Sequence, residues 1–294
     1  MPTQYGSNYV DERYSPIYEP NLFTKAWLIP EVTFTRKYQT GPAGGYYAHK
    51  IKNVSPIKPT LPTGKVTGHK ETEDDLIKVE VNNDYKGSRQ IPNAVAATVA
   101  APVAEYNLRL AIEEVREGRE YSALACLLTE GTESENKTAL TKANIKDAIL
   151  DESASLSEKK GMANVILCSP KTYSMLQSAA GAEFTPNRNE SIQSSGRVAD
   201  WYGYKIFECN QLATPEDIEY FDFTTTKKVV AAENCNNVDF IMFYSEAFSC
   251  IDVLNNMRLI DTDPNYAGTY AQCFTLTGFR VTNSDLVRVR RHSA

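Results

Sequence analysis

The spacing of apolar positions changes along the chain, and each change predicts a different kind of element. From residue 94 to 128, apolar or small side chains fall at 104, 108, 111, 112, 115, 118, 122, 125 and 126, close to the 3.6-residue helical period. Glu105, Arg109, Glu113, Glu114, Arg116, Glu117 and Glu120 stand between them. The pattern predicts one long helix with a buried face and a charged, wet face. Pro102 falls where a first turn tolerates it.

Before this helix the period is two. Lys50-Ile51-Lys52-Asn53-Val54 and Leu76-Ile77-Lys78-Val79-Glu80-Val81 alternate as strands do, and Asn82-Asn83-Asp84 has the chemistry of a turn. Few large apolar side chains separate the two runs. The expected element is a long two-stranded excursion over 37–92 whose polar faces cannot form a core. Such ribbons are marginal in water alone, so its support is expected from outside its own domain. The tyrosine- and proline-bearing residues ahead of it have no helical period and read as an extended arm.

After residue 136 helical and strand patterns alternate. "TKANIKDAIL" predicts a helix capped by Thr141, with Ile145, Ala148 and Ile149 inward. Asn164 to Cys168 predicts a buried strand, followed by a helix with Ser169 at its N-cap and Pro170 at its first position. In "SSGRVADWYGYKIFECNQL" Gly196 and Gly203 supply the backbone freedom for two turns, and Tyr204–Phe207 forms the strand that follows. Further strands are expected through Val229, at 240–244 and 247–253, and in two pieces at 274–277 and 279–289.

Composition narrows the class. A chain of 294 residues with 42% hydrophobic side chains can bury a large core. It has no apolar run near the roughly 18–20 residues of a membrane span, and its N-terminal residues do not have the pattern of a secretory signal. Six cysteines, at 126, 168, 209, 235, 250 and 273, form no C-x-x-C pair and read as buried free thiols. The net charge of −6 argues against a dedicated nucleic-acid binder, although Arg288, Arg290, Arg291 and His292 form a local basic patch, or simply a solvated terminus.

No catalytic grouping emerges. Gly64-Lys65-Val66-Thr67 ends like a phosphate loop but lacks the glycine spacing ahead of it. Asp261-Thr262-Asp263 has no further cation ligands at a loop's spacing, and Asp74-Asp75 reads as a charged turn. His49, His69 and His292 lie in polar stretches that suit a preorganised base poorly. The expectation is a non-enzyme without cofactor or metal.

The order of parts carries a resemblance. An arm, a polar ribbon and one long helix precede an α/β region, and the chain closes with strands. With "VILCSPKTYSMLQ", "GRVADWYGYKIFECNQL" and "SEAFSCIDVLNNMRLIDTDPNYAGTYAQCFTLTGFRVTNSDLVRVR", this resembles the major capsid proteins of tailed bacteriophages, the Hong Kong ninety-seven (Johnson) fold. The resemblance implies an α+β chain divided into an N-terminal arm (1–36), an E-loop hairpin (37–92), a P-domain spine helix (93–135), an A domain (136–240) and return strands to the P domain (241–294). It implies a tile that forms hexamers and pentamers of itself in an icosahedral shell around double-stranded DNA. Portal and scaffolding proteins are its further expected partners, assembly is in the host cytoplasm, and no membrane is involved. Gly196 and Gly203 become turn residues of the A domain. Lys65, Lys70, Asp74 and Asp75 become candidate intersubunit residues. The other readings are an encapsulin-like nanocompartment shell, which would close without portal or scaffold, and an α+β enzyme with a lid hairpin, which would need a pocket of perturbed carboxylates or histidines.

Overall fold

The computed structural model describes residues 26–29, 31–33, 39–40, 46–51, 74–92, 103–158, 161–179, 185–186, 197–201, 203–260 and 268–293. Gly196, Lys65, Lys70, His69, the Asp261–Asp263 triplet and nearly all of the expected arm lie outside them. In chain order the elements begin with β1 (Gln39–Thr40), β2 (Tyr46–Ile51), β3 (Asp74–Val79), β4 (Asn83–Pro92), α1 (Val103–Glu130) and β5 (Thr132–Glu133). Then come α2 (Ile145–Glu158), β6 (Val165–Cys168), α3 (Pro170–Ala179), β7 (Thr185–Pro186), β8 (Arg197–Trp201) and β9 (Tyr204–Glu208). The chain continues through β10 (Ile218–Phe221), β11 (Lys227–Val230), α4 (Ala232–Asn236), β12 (Val238–Phe243), β13 (Phe248–Ile260), β14 (Gly268–Val281) and β15 (Val287–Arg291).

The central layer is a mixed sheet of seven strands in the order β5-β15-β12-β6-β9-β8-β7. β6 shows how the sequence builds it. All four of its side chains are buried, because the pleat sends them alternately to two covered faces. Val165 and Leu167 join the cluster formed with Ala123–Leu128 of α1, whereas Ile166 and Cys168 join the one formed with Ile145, Ile149 and Leu176 of α2 and α3. One sheet thus separates two helical layers.

The Ser169 cap is present, since its Oγ accepts the Thr172 N–H at 3.2 Å. The Thr141 cap is reversed. Asn144 Oδ1 accepts the Thr141 N–H at 2.7 Å, and the turn it makes leads into α2. Gly203 has φ +83° in the two-residue connection between β8 and β9, where Trp201 faces Tyr204. A left-handed residue is what a hairpin this tight requires.

A second, three-stranded sheet, β13-β14-β4, lies along α1. Its strands are longer than the sequence pattern predicts, because Thr275 and Thr277 of β14 point inward and are buried. Inward threonines erase the apolar alternation that would otherwise mark a strand of fourteen residues. The predicted turn at 82–84 is also corrected. Asn83 begins β4, and Asn82 and Asn83 hold β10: Asn82 Nδ2 donates to Asp222 O at 2.8 Å, Asn83 Nδ2 donates to Phe221 O at 3.1 Å, and Asn83 Oδ1 accepts the Phe221 N–H at 2.9 Å. Asparagine there serves a distant backbone rather than its own.

The basic C-terminus is not a solvated patch. β15 pairs with β12 inside the central sheet, and Arg288 and Arg290 are buried. Arg290 Nη1 lies 3.5 Å from Glu152 Oε1, and its Nη2 donates to Thr138 O at 3.1 Å. His292 Nδ1 meets Asp239 Oδ1 at 3.0 Å. All six cysteines are free and buried.

Candidate assembly surfaces

Glu120 is the first departure from the helical pattern. Placed by sequence on the wet face of α1, it is fully buried. Its Oε1 accepts the Trp27 N–H at 3.1 Å and faces Arg116 Nη1 at 3.2 Å, while its Oε2 accepts from Gln211 Nε2 at 2.8 Å. Trp27 and Val32 are both wholly buried in the cluster around the second half of α1, and Lys205 Nζ of β9 meets Glu31 at 3.0 Å. One carboxyl therefore ties the segment 26–33 to the helix and to the turn after β9. No periodicity could reveal this, since the partners come from distant parts of the chain.

Burial pushes the Glu120 pKa from 4.5 up to about 7, against the opposing pull of Arg116 and the donated hydrogen bonds. A carboxyl whose pKa rises on folding makes the folded state hold the extra proton. Its contribution is complete below pH 4.5 and is lost as pH rises through about 7. The loss amounts to roughly 3 kcal/mol at about 1.4 kcal/mol per pKa unit. In Glu120→Gln this dependence should vanish. Urea midpoints at pH 5 and pH 8 test it: the variant should gain on the wild type between the two, and an equal difference at both pH values would show that Glu120 does not titrate.

The second surface is the β13–β14 ribbon. Its register shifts between Asp252 and Leu254, which places a bulge at Val253. Arg119 of α1 pins the bulge, its Nη2 lying 2.8 and 2.7 Å from the two Asp252 oxygens, and Thr277 Oγ1 donates to Asp252 Oδ1 at 2.8 Å. β13 is an edge of its sheet, and Val253, Met257 and Leu259 on it are large, apolar and exposed. Long apolar edges invite pairing with another chain.

The third surface is a groove of about 580 Å³ where α1, β4 and the β10–β11 hairpin meet. Tyr85, Tyr121 and Phe221 line it together with Glu117, Glu216 and Glu219. Phe221 and, on the paired β11, Val229 are both exposed.

Of the residues singled out from sequence, Gly203 stands at the β8–β9 turn. Asp74 and Asp75 are not a turn: they open β3 and face Ile51 and Lys50 across the β2–β3 pair. Sequence reading missed Glu120, the Arg119–Asp252 pair and the groove carboxylates. The departure of a glutamate from its helical face was available only as a position among many. Among the described residues no His, Cys, Asp and Glu are grouped to hold a metal, and no helix is long and apolar enough to cross a membrane.

No protein-family model matches the chain, and no curated protein matches it. Solved structures do match. A structure of Mycobacterium phage Che8 covers 96% of this chain and 97% of its own, with TM-score 0.64 and 13% identity. The capsid structure of the Cyanophage P-SCSP1u matches 94% of this chain over 91% of its own, with TM-score 0.66 and 12% identity. The capsid of the native GTA particle, computed with C5 symmetry, covers 98% and 97%, with TM-score 0.61 and 11% identity. The likeness runs almost end to end, and the chain has the α+β fold of these phage capsid structures.

Proposed function

We propose that this chain is the major capsid protein of a tailed phage, a structural tile without catalytic activity. It assembles as hexamers and pentamers into an icosahedral shell enclosing double-stranded DNA. The observation that carries this reading is the end-to-end likeness to capsid structures, which leaves almost no part of the chain over for another task. The described surfaces support it. A β2–β3 ribbon, an edge strand with exposed apolar side chains and an aromatic groove each offer surface on which another copy can dock, as a tile requires. In this reading the E-loop laid on a neighbour is the part of 37–92 ahead of β4, since β4 itself pairs with β14 in the chain's own sheet; α1 is the spine of the P domain, and the strands of the central sheet within 136–240 belong to the A domain. Each tile is then held at several sites at once, so weak contacts add up to a stable shell.

Portal and scaffolding proteins are its proposed partners, with assembly in the host cytoplasm. Contact with the packaged genome is proposed to be weak, and the buried Arg288 and Arg290 take no part in it. Expression tests the proposal. With its scaffold the chain should give closed isometric particles by negative-stain microscopy, and without it aberrant shells or soluble capsomers. A monodisperse monomer that turns over a small substrate would overturn the reading.

A further inference from the structure

The basic run at the C-terminus divides in two on folding. Arg288 and Arg290 are buried, whereas Arg291 and His292 line a pocket of about 490 Å³. Lys137, from the connection between β5 and α2, lines it too, as do Asn234 near the end of α4 and Asn237 just after it. Among the described residues that line it, Glu133 is the one acid, against Lys137 and Arg291. Its Oε1 lies 3.1 Å from Arg291 Nε, and Arg291 Nη1 donates to Asn234 O. The guanidinium is thereby held, while its Nη2 keeps no partner among the described residues. Lys137 Nζ lies 3.9 Å from Glu133 Oε2, beyond hydrogen-bond distance. The side-chain amides of Asn234 and Asn237 likewise have no partner among the described residues. The His292 ring is engaged on one side, its Nδ1 meeting Asp239 Oδ1 at 3.0 Å.

We propose that this pocket binds a phosphate group, whose oxygens take hydrogen bonds from Lys137 Nζ, Arg291 Nη2 and the amides of Asn234 and Asn237. These donors come from three separate parts of the chain, so they meet an anion from different sides. A tetrahedral group with an oxygen toward each side answers them better than a planar carboxylate does. Two cations against one carboxylate favour an anion, and lysine and arginine are the usual ligands of phosphate. Buried Leu128 and Val230 also line the pocket, and beside apolar walls such contacts are screened less than on an open surface. At about 30 Å³ per water, the space admits the anion together with several waters. Phosphate has two sources here. The free ion needs no shell, whereas a phosphodiester of the packaged genome rests on the shell reading, as a weak contact repeated in every tile.

Phosphorus NMR on the full chain in solution, at pH 7 and fixed ionic strength, tests the site without needing shells. Inorganic phosphate should bind at one site per chain. Lys137→Gln should weaken it about tenfold, the worth of one hydrogen bond to a charged group, and Asn237→Ala should weaken it by less. Lys137 is 57% exposed and the Asn237 amide makes no internal hydrogen bond among the described residues, so both variants should keep the circular dichroism of the wild type. The same neutralisation at Lys86, exposed on β4, should leave the affinity unchanged. A short duplex DNA that displaces the phosphate, with the same dependence on Lys137, would assign the site to the nucleic-acid backbone. Phosphate binding that the DNA leaves untouched would assign it to the free ion, and either result supports the inference. Binding of neither ligand would overturn it, as would binding undiminished in Lys137→Gln or equally weakened by Lys86→Gln. A wild type that fails to bind yet builds shells overturns this site alone, and one that binds yet builds no shell overturns the shell reading and leaves the site standing.

Discussion

A chain in which residues 52–73 are replaced by a short Gly-Ser turn is expected to fold as a monomer and to build no shell. The described core closes without them: its clusters draw on Trp27 and Val32, on α1, and on the central sheet with α2 and α3. Closing a shorter loop also costs less chain entropy, at roughly 0.6 kcal/mol per doubling of length. The replacement must stop short of β4, because Asn82 and Asn83 clasp the backbone of β10 and belong to the fold of the single copy. Circular dichroism and sedimentation should show a compact wild-type-like monomer, and microscopy with scaffold should show no closed particles. A variant that misfolds would place this stretch in its own core. One that still builds normal shells would remove its role in assembly.

Replacing Arg290 with Met should destabilise the monomer by about 3–5 kcal/mol, the usual cost of stranding one partner of a buried ion pair. Arg290 is 1% exposed on β15, where it faces Glu152 and donates to Thr138 O. Glu152 is itself buried and accepts a hydrogen bond from Ser134 Oγ, so it would keep one partner and lose its charge compensation. The double variant Arg290→Met, Glu152→Met should recover most of the loss, since apolar side chains of similar volume tolerate the same site. Urea denaturation of the two single variants and the double variant closes the cycle. A loss below about 1 kcal/mol for Arg290→Met would mean that the terminus is solvated after all.

The elements legible in the sequence are those whose signal is local. The helical period of α1, the Ser169-Pro170 start of α3, the unbroken apolar run of β6 and the glycine at the β8–β9 hairpin each depend on neighbours a few residues away. The free, buried cysteines follow from the same kind of reading, since their spacing offers no nearby partner. The elements that were misread draw on partners far along the chain. Asn82 and Asn83 have turn chemistry, yet their amides serve β10 across about 140 residues of chain. Asp74 and Asp75 look like a charged turn, yet they extend the strand that pairs with Lys50 and Ile51.

By itself, then, the sequence determined the three longer helices, the segments that alternate, and that the order of parts is a ribbon, a long helix and an α/β region with returning strands. Only the tertiary structure decided which charges are dry. Glu120 carries the same formal charge as the exposed Glu114 on α1, and Arg290 the same as the partly exposed Arg291 on β15. What sets them apart is the arrival of Trp27 and Gln211 at one and of Glu152 at the other. The free energy of a charged side chain depends on the solvent it loses and the partner it gains. Neither is written in its local pattern, because both are supplied by chain that folds back from elsewhere.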